Sequence, residues 1–374
     1  MNEVDEKFYE TYGKKTKIRE YQGSGKKILG SFCSYTPEEI IHAAGLVPIR
    51  IFGERTDMEE VNTHVSSWIC YYARRCLEDG LQGDYEFLDG IVSVTSDDTN
   101  MPMYSIWKKE VGANYAYLVQ LPFAINETAI KFYTKILKKF KRSLEEFYSV
   151  KITDQRLKDS IKTYNRSRAL LRELYDLRMS MSPKISASDT LKIMLASYSM
   201  LKEEFNDLLE GYIADLKESE PLNDEKIRVH VSGTVLHDVE LLEIIEGCGV
   251  DIVSDDLCTG SRYFSFNVDE TYEPIEALSR GYLSSKTTCM TCSRQGVYPL
   301  DERLSYIRDQ VKASGADGVI ILGDKGCDLC AYGLPTMRKE LGKDIPILYL
   351  DVDFPLAAEQ YKTRVEAFVE SIKG

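Results

Sequence analysis

The sequence lacks any apolar run long enough to cross a bilayer. Its most apolar stretches, residues 318–322 and 345–350, are far shorter than the roughly 20 residues that a membrane-spanning helix needs. It also lacks an excess of basic residues, since 60 acidic side chains outnumber 47 basic ones and the net charge is −13. Charge of that sign repels nucleic-acid phosphates and anionic lipid. We therefore expect neither a nucleic acid nor a membrane among the partners.

Three further patterns are missing. The histidines show no metal-ligand spacing, so we expect structural roles for all four of them: His42, His64, His230 and His237. The segment 23–27 (GSGKK) lacks the spacing of a phosphate-binding loop and precedes a strand instead of a helix. The polar, acidic N-terminal residues do not form a secretory signal. A turn is expected at residues 23–27, ATP binding is expected in a partner, and the protein is expected to be cytoplasmic.

The 374 residues are enough for two packed domains. In residues 1–124, short apolar strands near 27–32, 47–51, 88–94 and 115–119 alternate with helices. One helix is predicted to start at a Thr36 cap and another to run from about Ser66 to Leu81. Such alternation is typical of a parallel sheet covered by helices on both faces.

The remaining chain divides into two further parts. Residues 125–222 are rich in Lys, Glu and Leu, carry helical periodicity and break at residues 182–184 (SPK). Strand–helix alternation returns in residues 223–374, with strands near 227–233, 250–253, 318–322 and 347–350. The sequence therefore predicts an α/β protein with two Rossmann- or flavodoxin-like parallel-sheet lobes, joined by a long helical section.

Nine cysteines in a chain expected to be cytosolic do not indicate a disulfide framework, because that compartment keeps thiols reduced. Cys33, Cys76 and Cys248 are interpreted as small buried residues, and so is Cys258. Two C-x-x-C pairs, Cys289/Cys292 and Cys327/Cys330, stand out. Their spacing is compatible with zinc, with an iron–sulfur cluster or with thiol redox exchange.

Polar and cysteine-bearing segments follow several predicted strands. Ser34 and Tyr35 follow the first strand, Asp97 follows the third, and Arg262 and Cys327 follow strands of the second lobe. Ligands of open α/β sheets bind beyond the carboxyl ends of the strands. A site is therefore expected at these ends.

Six ordered segments resemble the 2-hydroxyacyl-CoA dehydratase family, which also includes benzoyl-CoA reductase subunits and double-cubane cluster proteins. Residues 35–48 (YTPEEIIHAAGLVP) resemble its P-x-E-hydrophobic-x-A-A-G-x-x-P signature. The other segments that resemble family blocks are residues 68–71, 89–103, 256–264, 316–328 and 350–353. They extend over most of the chain, which makes the resemblance far more specific than a single C-x-x-C pair.

The resemblance implies a [4Fe–4S] cluster held by three cysteines. Cys70 and Cys327 match two of these ligands. At the third position the family has cysteine in Cys-Asp-Thr-x-x-Pro-Met, whereas this chain has Asp97. A carboxylate is a harder donor than a thiolate and changes the stability and potential of a cluster. Cys289, Cys292 or Cys330 is an alternative source of the third ligand, and an altered or absent cluster is another.

The resemblance also implies an activity. It is the dehydration of an (R)-2-hydroxyacyl-CoA to the 2-enoyl-CoA through a ketyl radical. The β-proton of the substrate is not acidified by a neighbouring carbonyl, so a general base alone faces too high a barrier. An iron–sulfur cofactor overcomes this by electron chemistry. The implied partners are a paralogous subunit, an ATP-hydrolysing activator protein and an acyl-CoA.

Four further side chains are candidates for the site. Glu39 is either catalytic or a carboxylate favoured by the helix dipole. Ser34 and Tyr35 are candidate substrate contacts. Arg262 either binds a CoA phosphate or a carboxylate near the cluster, or forms an ion pair.

Two other functional hypotheses remain. One is a subunit of a CoA-ester reductase or a double-cubane reductase, for which Cys33 and the Cys289/Cys292 pair leave room. The other is a non-catalytic electron-relay or scaffold subunit, which the aspartate at position 97 motivates. Iron content separates the first from the dehydratase hypothesis, and loss of iron and turnover on replacing Cys327 tests the second.

Overall fold

The computed structural model describes residues 4–13, 15–222, 226–284 and 300–374. These residues form two four-stranded sheets. The first sheet contains β1 (Ile28–Ser31), β2 (Val47–Arg50), β3 (Gly90–Val94) and β4 (Tyr115–Val119). The second contains β5 (Ile227–Ser232), β6 (Val250–Asp256), β7 (Gly318–Asp324) and β8 (Ile347–Val352).

Both sheets are parallel throughout and share one topology. The strand order is β2-β1-β3-β4 in the first and β6-β5-β7-β8 in the second. This is the flavodoxin-like order, in which the sheet has a topological switch point between its first and third strands. The first three strands are buried along their whole length, as expected of parallel strands covered on both faces. The prediction of two parallel-sheet lobes is confirmed.

Helices connect and cover the strands. In the first lobe they are α1 (Glu10–Gly13), α2 (Thr16–Gly23), α3 (Glu38–Ala43), α4 (Val61–His64), α5 (Tyr71–Leu81) and α6 (Asn100–Ile106), with π-helical segments at Asp5–Tyr9 and Trp107–Gly112. In chain order, the helices that follow the first sheet and precede the second are α7 (Glu127–Tyr148), α8 (Asp154–Met179), α9 (Ala187–Ser197) and α10 (Lys202–Glu218). The second lobe adds α11 (Val239–Gly247), α12 (Ser261–Phe264), α13 (Pro274–Ser284), α14 (Leu300–Ser314), α15 (Asp328–Leu341) and α16 (Ala358–Lys373).

Two predicted helix starts are wrong. The helix expected from Ser66 to Leu81 begins only at Tyr71, as α5, and residues 66–70 lie outside both α5 and α4, which ends at His64. Cys70 therefore occupies the cap position before α5 instead of lying within a helix. The side chain of Thr36 does not cap α3, whose first residue is Glu38. The Thr36 hydroxyl is buried without a hydrogen-bond partner.

Three helices of the helical section begin at capping side chains. Asn126, Thr153 and Ser186 each accept a hydrogen bond from a backbone N–H of the helix that follows, as N-caps do. The break at residues 182–184 separates α8 from α9. None of the helices in the described ranges combines the length and apolar character that crossing a membrane requires. The limits 1–124, 125–222 and 223–374 stay a prediction.

A buried ionic network ties the first lobe to the helical section. The Arg168 guanidinium of α8 lies 2.5 Å from the Glu39 carboxylate, and both side chains are almost fully buried. Tyr282 of α13 donates to the other oxygen of Glu39 at 2.8 Å. Lys202 of α10 lies 3.7 Å from Glu38. Each of these charges is buried beside an opposite one, which is how proteins tolerate charge away from water.

Replacing Arg168 with methionine is expected to destabilise the fold by about 3–5 kcal/mol, because it leaves the Glu39 carboxylate buried without its counter-ion. Chemical denaturation measures this loss. Arg166→Met on the same helix is the matched control. Its ion pairs with Asp207 and Glu210 are exposed, so a change of at most about 1 kcal/mol is expected. Equal losses in both variants would refute the buried-pair explanation.

Candidate functional site

The carboxyl ends of the strands of both sheets border one cavity, which we call the central cavity. It touches the loops after β1 and β3 in the first lobe, and those after β5, β6 and β7 in the second. The switch points of the two sheets therefore face the same space, and this is where open α/β sheets bind ligands. Its polar lining includes Cys33, Ser34, Tyr35, Arg50, Cys70, Asp97, Cys258, Arg262, Asp324 and Cys327.

The segments carrying Cys70 and Cys327 are in direct backbone contact, although they come from different lobes. The Tyr71 amide donates to the Lys325 carbonyl at 3.0 Å. A Cβ built on Gly326 would lie 3.1 Å from the Trp68 and Ile69 carbonyl oxygens and 3.3 Å from the Cys70 Cα. Gly326 also has a φ of +79°, which glycine adopts more readily than other residues. The glycine thus permits the close approach of the two cysteines.

Both cysteines stand immediately before a helix. Cys70 occupies the cap position of α5 and Cys327 that of α15. The positive end of a helix dipole favours a thiolate or another negative charge. Burial, reinforced by the negative charge of Asp324, raises the pKa of the Cys70 thiol well above its usual value. A metal ligand must lose that proton, so binding of a metal here would release it.

Asp97 lines the same cavity, but its carboxylate also serves the local fold. One oxygen accepts hydrogen bonds from the Thr99 amide at 3.0 Å and the Asn100 amide at 2.8 Å. The other accepts from the Asn100 side-chain amide at 2.9 Å. Asp97 therefore holds the start of α6 in the way a capping aspartate does.

Most of the other predicted site residues also reach the cavity. Ser34, Tyr35 and Arg262 line it. The Arg262 guanidinium lies 3.4 Å from Asp256 and donates to the Cys258 sulfur at 3.3 Å. Glu39 is not among the lining residues, and its contacts are those of the ionic network. Its catalytic role stays a prediction.

Three predicted ligands cannot be placed. Cys289 and Cys292 lie outside the described residues, and so does the side chain of Cys330.

Four of the cysteine or charged lining residues were not predicted as site residues: Cys33, Cys258, Arg50 and Asp324. The two cysteines were interpreted as structural thiols. Their positions after β1 and β6 were a usable signal, because strand ends converge on the site. Burial raises the pKa of the Cys33 thiol to about 11 and that of the Asp324 carboxyl to about 7. Arg50 ends β2, where its strand gave no sign of a functional role.

Cysteine thiolates are the usual ligands of an iron–sulfur cluster, and Cys70 and Cys327 lie on apposed segments of the cavity wall. In residues 4–13, 15–222, 226–284 and 300–374, no three Cys, His, Asp or Glu side chains converge on one metal position. The cysteines of a cubane cluster bind different irons, so they need not converge on one point. The two thiols on apposed segments of this cavity are compatible with that requirement.

Comparison with known sequences identifies the class of this chain. The family model described as "2-hydroxyglutaryl-CoA dehydratase, D-component" matches residues 33–372. The chain therefore belongs to this family of enzyme subunits. The expected family resemblance and the expected enzyme class are confirmed.

Individual relatives extend over nearly the whole chain. One is the (R)-phenyllactyl-CoA dehydratase beta subunit of Clostridium sporogenes, 27% identical over 96% of this chain and 95% of the relative. Another is the beta subunit of the (R)-2-hydroxyglutaryl-CoA dehydratase of Acidaminococcus fermentans, 29% identical over 96% of both. A benzoyl-CoA reductase subunit of Thauera aromatica is 28% identical over 93% of this chain and 91% of its own length.

Gly326→Ala is expected to force the two cysteine segments apart, because the new methyl group meets the Trp68–Cys70 backbone. The matched control is Gly249→Ala: Gly249 has the same φ of +79° but nothing within 4 Å of the added Cβ. The conformational cost of about 1–2 kcal/mol is common to both variants. Thermal unfolding should therefore show a larger loss for Gly326→Ala, whereas equal losses would argue against the contact.

Proposed function

We propose that this chain is the iron–sulfur subunit of a 2-hydroxyacyl-CoA dehydratase. The reaction is the conversion of an (R)-2-hydroxyacyl-CoA to the 2-enoyl-CoA through a ketyl radical, after one-electron activation. The observation that carries the proposal is the apposition of Cys70 and Cys327, from different lobes, on the wall of one cavity. Family membership supports it, as do relatives named as dehydratase beta subunits.

In this proposal Cys70 and Cys327 are iron ligands of a [4Fe–4S] cluster. When bound, the cluster supplies electron transfer at low potential and a Lewis-acidic iron. The chain positions it at two helix N-termini, where negative charge is stabilised. Ser34 and Tyr35 provide polar contacts to a ligand, while Phe32, Val235 and other apolar lining residues exclude water.

Asp97 is our candidate for the third iron ligand. It lines the cavity with the two cysteines, and a carboxylate can bind iron while it accepts hydrogen bonds, since its two oxygens offer about four lone-pair sites. Cys289, Cys292 and Cys330 are the alternative sources of this ligand. Arg262, in the second lobe, is proposed to contact the substrate.

The partners follow from the same proposal. The relatives are named as subunits of dehydratases and of a reductase, so a paralogous subunit is expected to pair with this chain. An ATP-hydrolysing activator protein is expected to deliver the electron, and an acyl-CoA is the substrate. The compartment proposed is the cytoplasm, which keeps the ligand thiols reduced.

Cys70→Ser and Cys327→Ser are each expected to lower the iron content from about four atoms per chain to below half of that value, since a cubane cluster is held by thiolates. Iron and acid-labile sulfide are measured after anaerobic purification of the chain together with its partner subunit. Cys248→Ser is the matched control, because Cys248 lies at the end of α11 and does not line the cavity.

If the Cys327→Ser variant keeps the iron content and the turnover of the wild type, the proposal that this chain holds a cluster is wrong. A scaffold or relay role would then replace the dehydratase role.

Asp97→Cys and Asp97→Asn separate the two roles of this carboxylate. Asparagine keeps a carbonyl oxygen for the Thr99 and Asn100 amides but loses the charge that favours iron binding. If Asp97 is a ligand, Asp97→Asn loses iron and Asp97→Cys keeps it with a changed electron paramagnetic resonance spectrum. Unchanged iron and spectra in both variants would assign the third ligand to a cysteine.

A reductase subunit is the second candidate, and one structural observation favours it. Four cysteines line the central cavity, because Cys33 and Cys258 accompany the two predicted ligands. This is more thiol than a single three-cysteine cluster uses. One relative is a benzoyl-CoA reductase subunit. About eight irons per chain in the same metal analysis, instead of about four, would favour this candidate.

A further inference from the structure

Buried arginines in the described part of the chain either lie beside a carboxylate or donate to several backbone carbonyls, with a single exception. Most lie within ion-pairing distance of a carboxylate: Arg75 with Asp238, Arg168 with Glu39, Arg178 with Asp255, and both Arg262 and Arg303 with Asp256. Arg228 instead donates four hydrogen bonds to backbone carbonyls. The exception is Arg50.

Arg50 is 6% exposed and lines the central cavity. Its guanidinium donates to the Ser34 hydroxyl at 2.5 Å and to the Phe32 carbonyl at 3.2 Å. Its Nε has no acceptor, and no carboxylate of the described residues forms an ion pair with it. Burying a cation without a counter-ion is costly. Its charge therefore points to an anion that the protein itself does not supply.

The electrostatic surroundings of Cys70 and Arg50 differ in charge. The neighbours of Cys70 include Asp324, Asp97 and Cys327, two of which are carboxylates. Those of Arg50 are neutral at pH 7 and include Tyr72 and Tyr198. Arg262 brings a second guanidinium to the cavity wall. An anionic ligand in the cavity would therefore meet, at Arg50, a cation that no carboxylate of the described residues pairs with.

Neighbouring groups hold the Arg50 side chain in one position, as a binding residue requires. It lies against the rings of Phe52 and Tyr198, with centroids 5.5 and 5.6 Å from the guanidinium carbon. Ser34, which accepts from it, donates in turn to the Cys258 carbonyl of the other lobe at 2.8 Å. The guanidinium is thus held in place before any ligand binds.

We propose that Arg50, on the wall of the central cavity, binds a carboxylate group. The planar guanidinium matches a carboxylate in a two-pronged hydrogen-bonded pair, and Ser34 adds a hydroxyl beside it. Two sources would offer this chemistry: a free small carboxylate, or a carboxylate at the distal end of an acyl substrate. The second source rests on the proposed function. Arg50 is then a determinant of which acyl chain the enzyme accepts.

The experiment compares acetate with acetamide, its neutral isostere, by titration calorimetry of the full chain after anaerobic purification. Acetate is expected to bind and acetamide not. Arg50→Gln is expected to weaken acetate binding by at least about tenfold, the factor that a charged hydrogen bond contributes. Arg228→Gln is the matched control, because Arg228 is similarly buried but lies at the amino end of β5. This variant should bind acetate with the same affinity as the wild type.

Arg50→Lys decides the case in which the glutamine variant does not fold. It keeps the charge but loses the two-pronged geometry, so we expect a normal melting temperature and weaker acetate binding. Equal binding of acetate and acetamide by the wild type would overturn the proposal. So would an unchanged acetate affinity in Arg50→Gln or, if that variant does not fold, in Arg50→Lys.

The source is identified with two CoA esters of equal chain length, 2-hydroxyglutaryl-CoA and 2-hydroxypentanoyl-CoA. Preference for the first, lost in Arg50→Gln, would assign the site to the acyl chain, while equal binding with acetate affinity retained would assign it to a free anion. Iron content is measured on the same samples and is expected to be unchanged in Arg50→Gln. An iron-free wild type that still binds acetate would contradict the proposed function and leave this site intact.

Discussion

The close approach of the Gly326 backbone to the Trp68–Cys70 segment is the contact on which the site depends. Two lobes with separate sheets can share a binding site only if their strand ends meet, and here they meet at backbone level. A side chain at position 326 would add volume at the narrowest point of the contact. Cys70 and Cys327 each precede a helix. Fixing the backbone of the two segments therefore also fixes the Cα positions from which both thiol side chains extend.

Buried ion pairs hold the two lobes in this arrangement. Arg75 of the first lobe pairs with Asp238 of the second at 2.9 Å, and Glu39 pairs with Arg168 of the helical section. Such pairs contribute little net stability compared with apolar packing, but breaking them exposes an unpaired buried charge. They therefore disfavour other relative positions of the lobes more strongly than they favour folding as such. A cavity lined from both sides needs that restriction.

Local sequence patterns predicted the elements well, and they failed where a residue is used for the site. The strand at Tyr115–Val119 and the break between α8 and α9 lie where the sequence predicted them. The segment before Tyr71 carries no helix breaker, so the predicted helix included Cys70. In the structure the backbone there turns away from helical geometry to meet Gly326. No pattern within the segment reveals a contact with a residue about 250 positions away.

The sequence by itself determined the two parallel-sheet lobes, the helical section between them and the family, because these follow from periodicity and from motifs that are local in the chain. It also singled out Cys70 and Cys327. Only the tertiary structure placed Cys33, Cys258 and Arg50 beside them and Glu39 inside an ion pair. Whether a polar side chain near a strand end is paired or faces a cavity depends on partners brought by distant segments, and that information exists only after the lobes have packed.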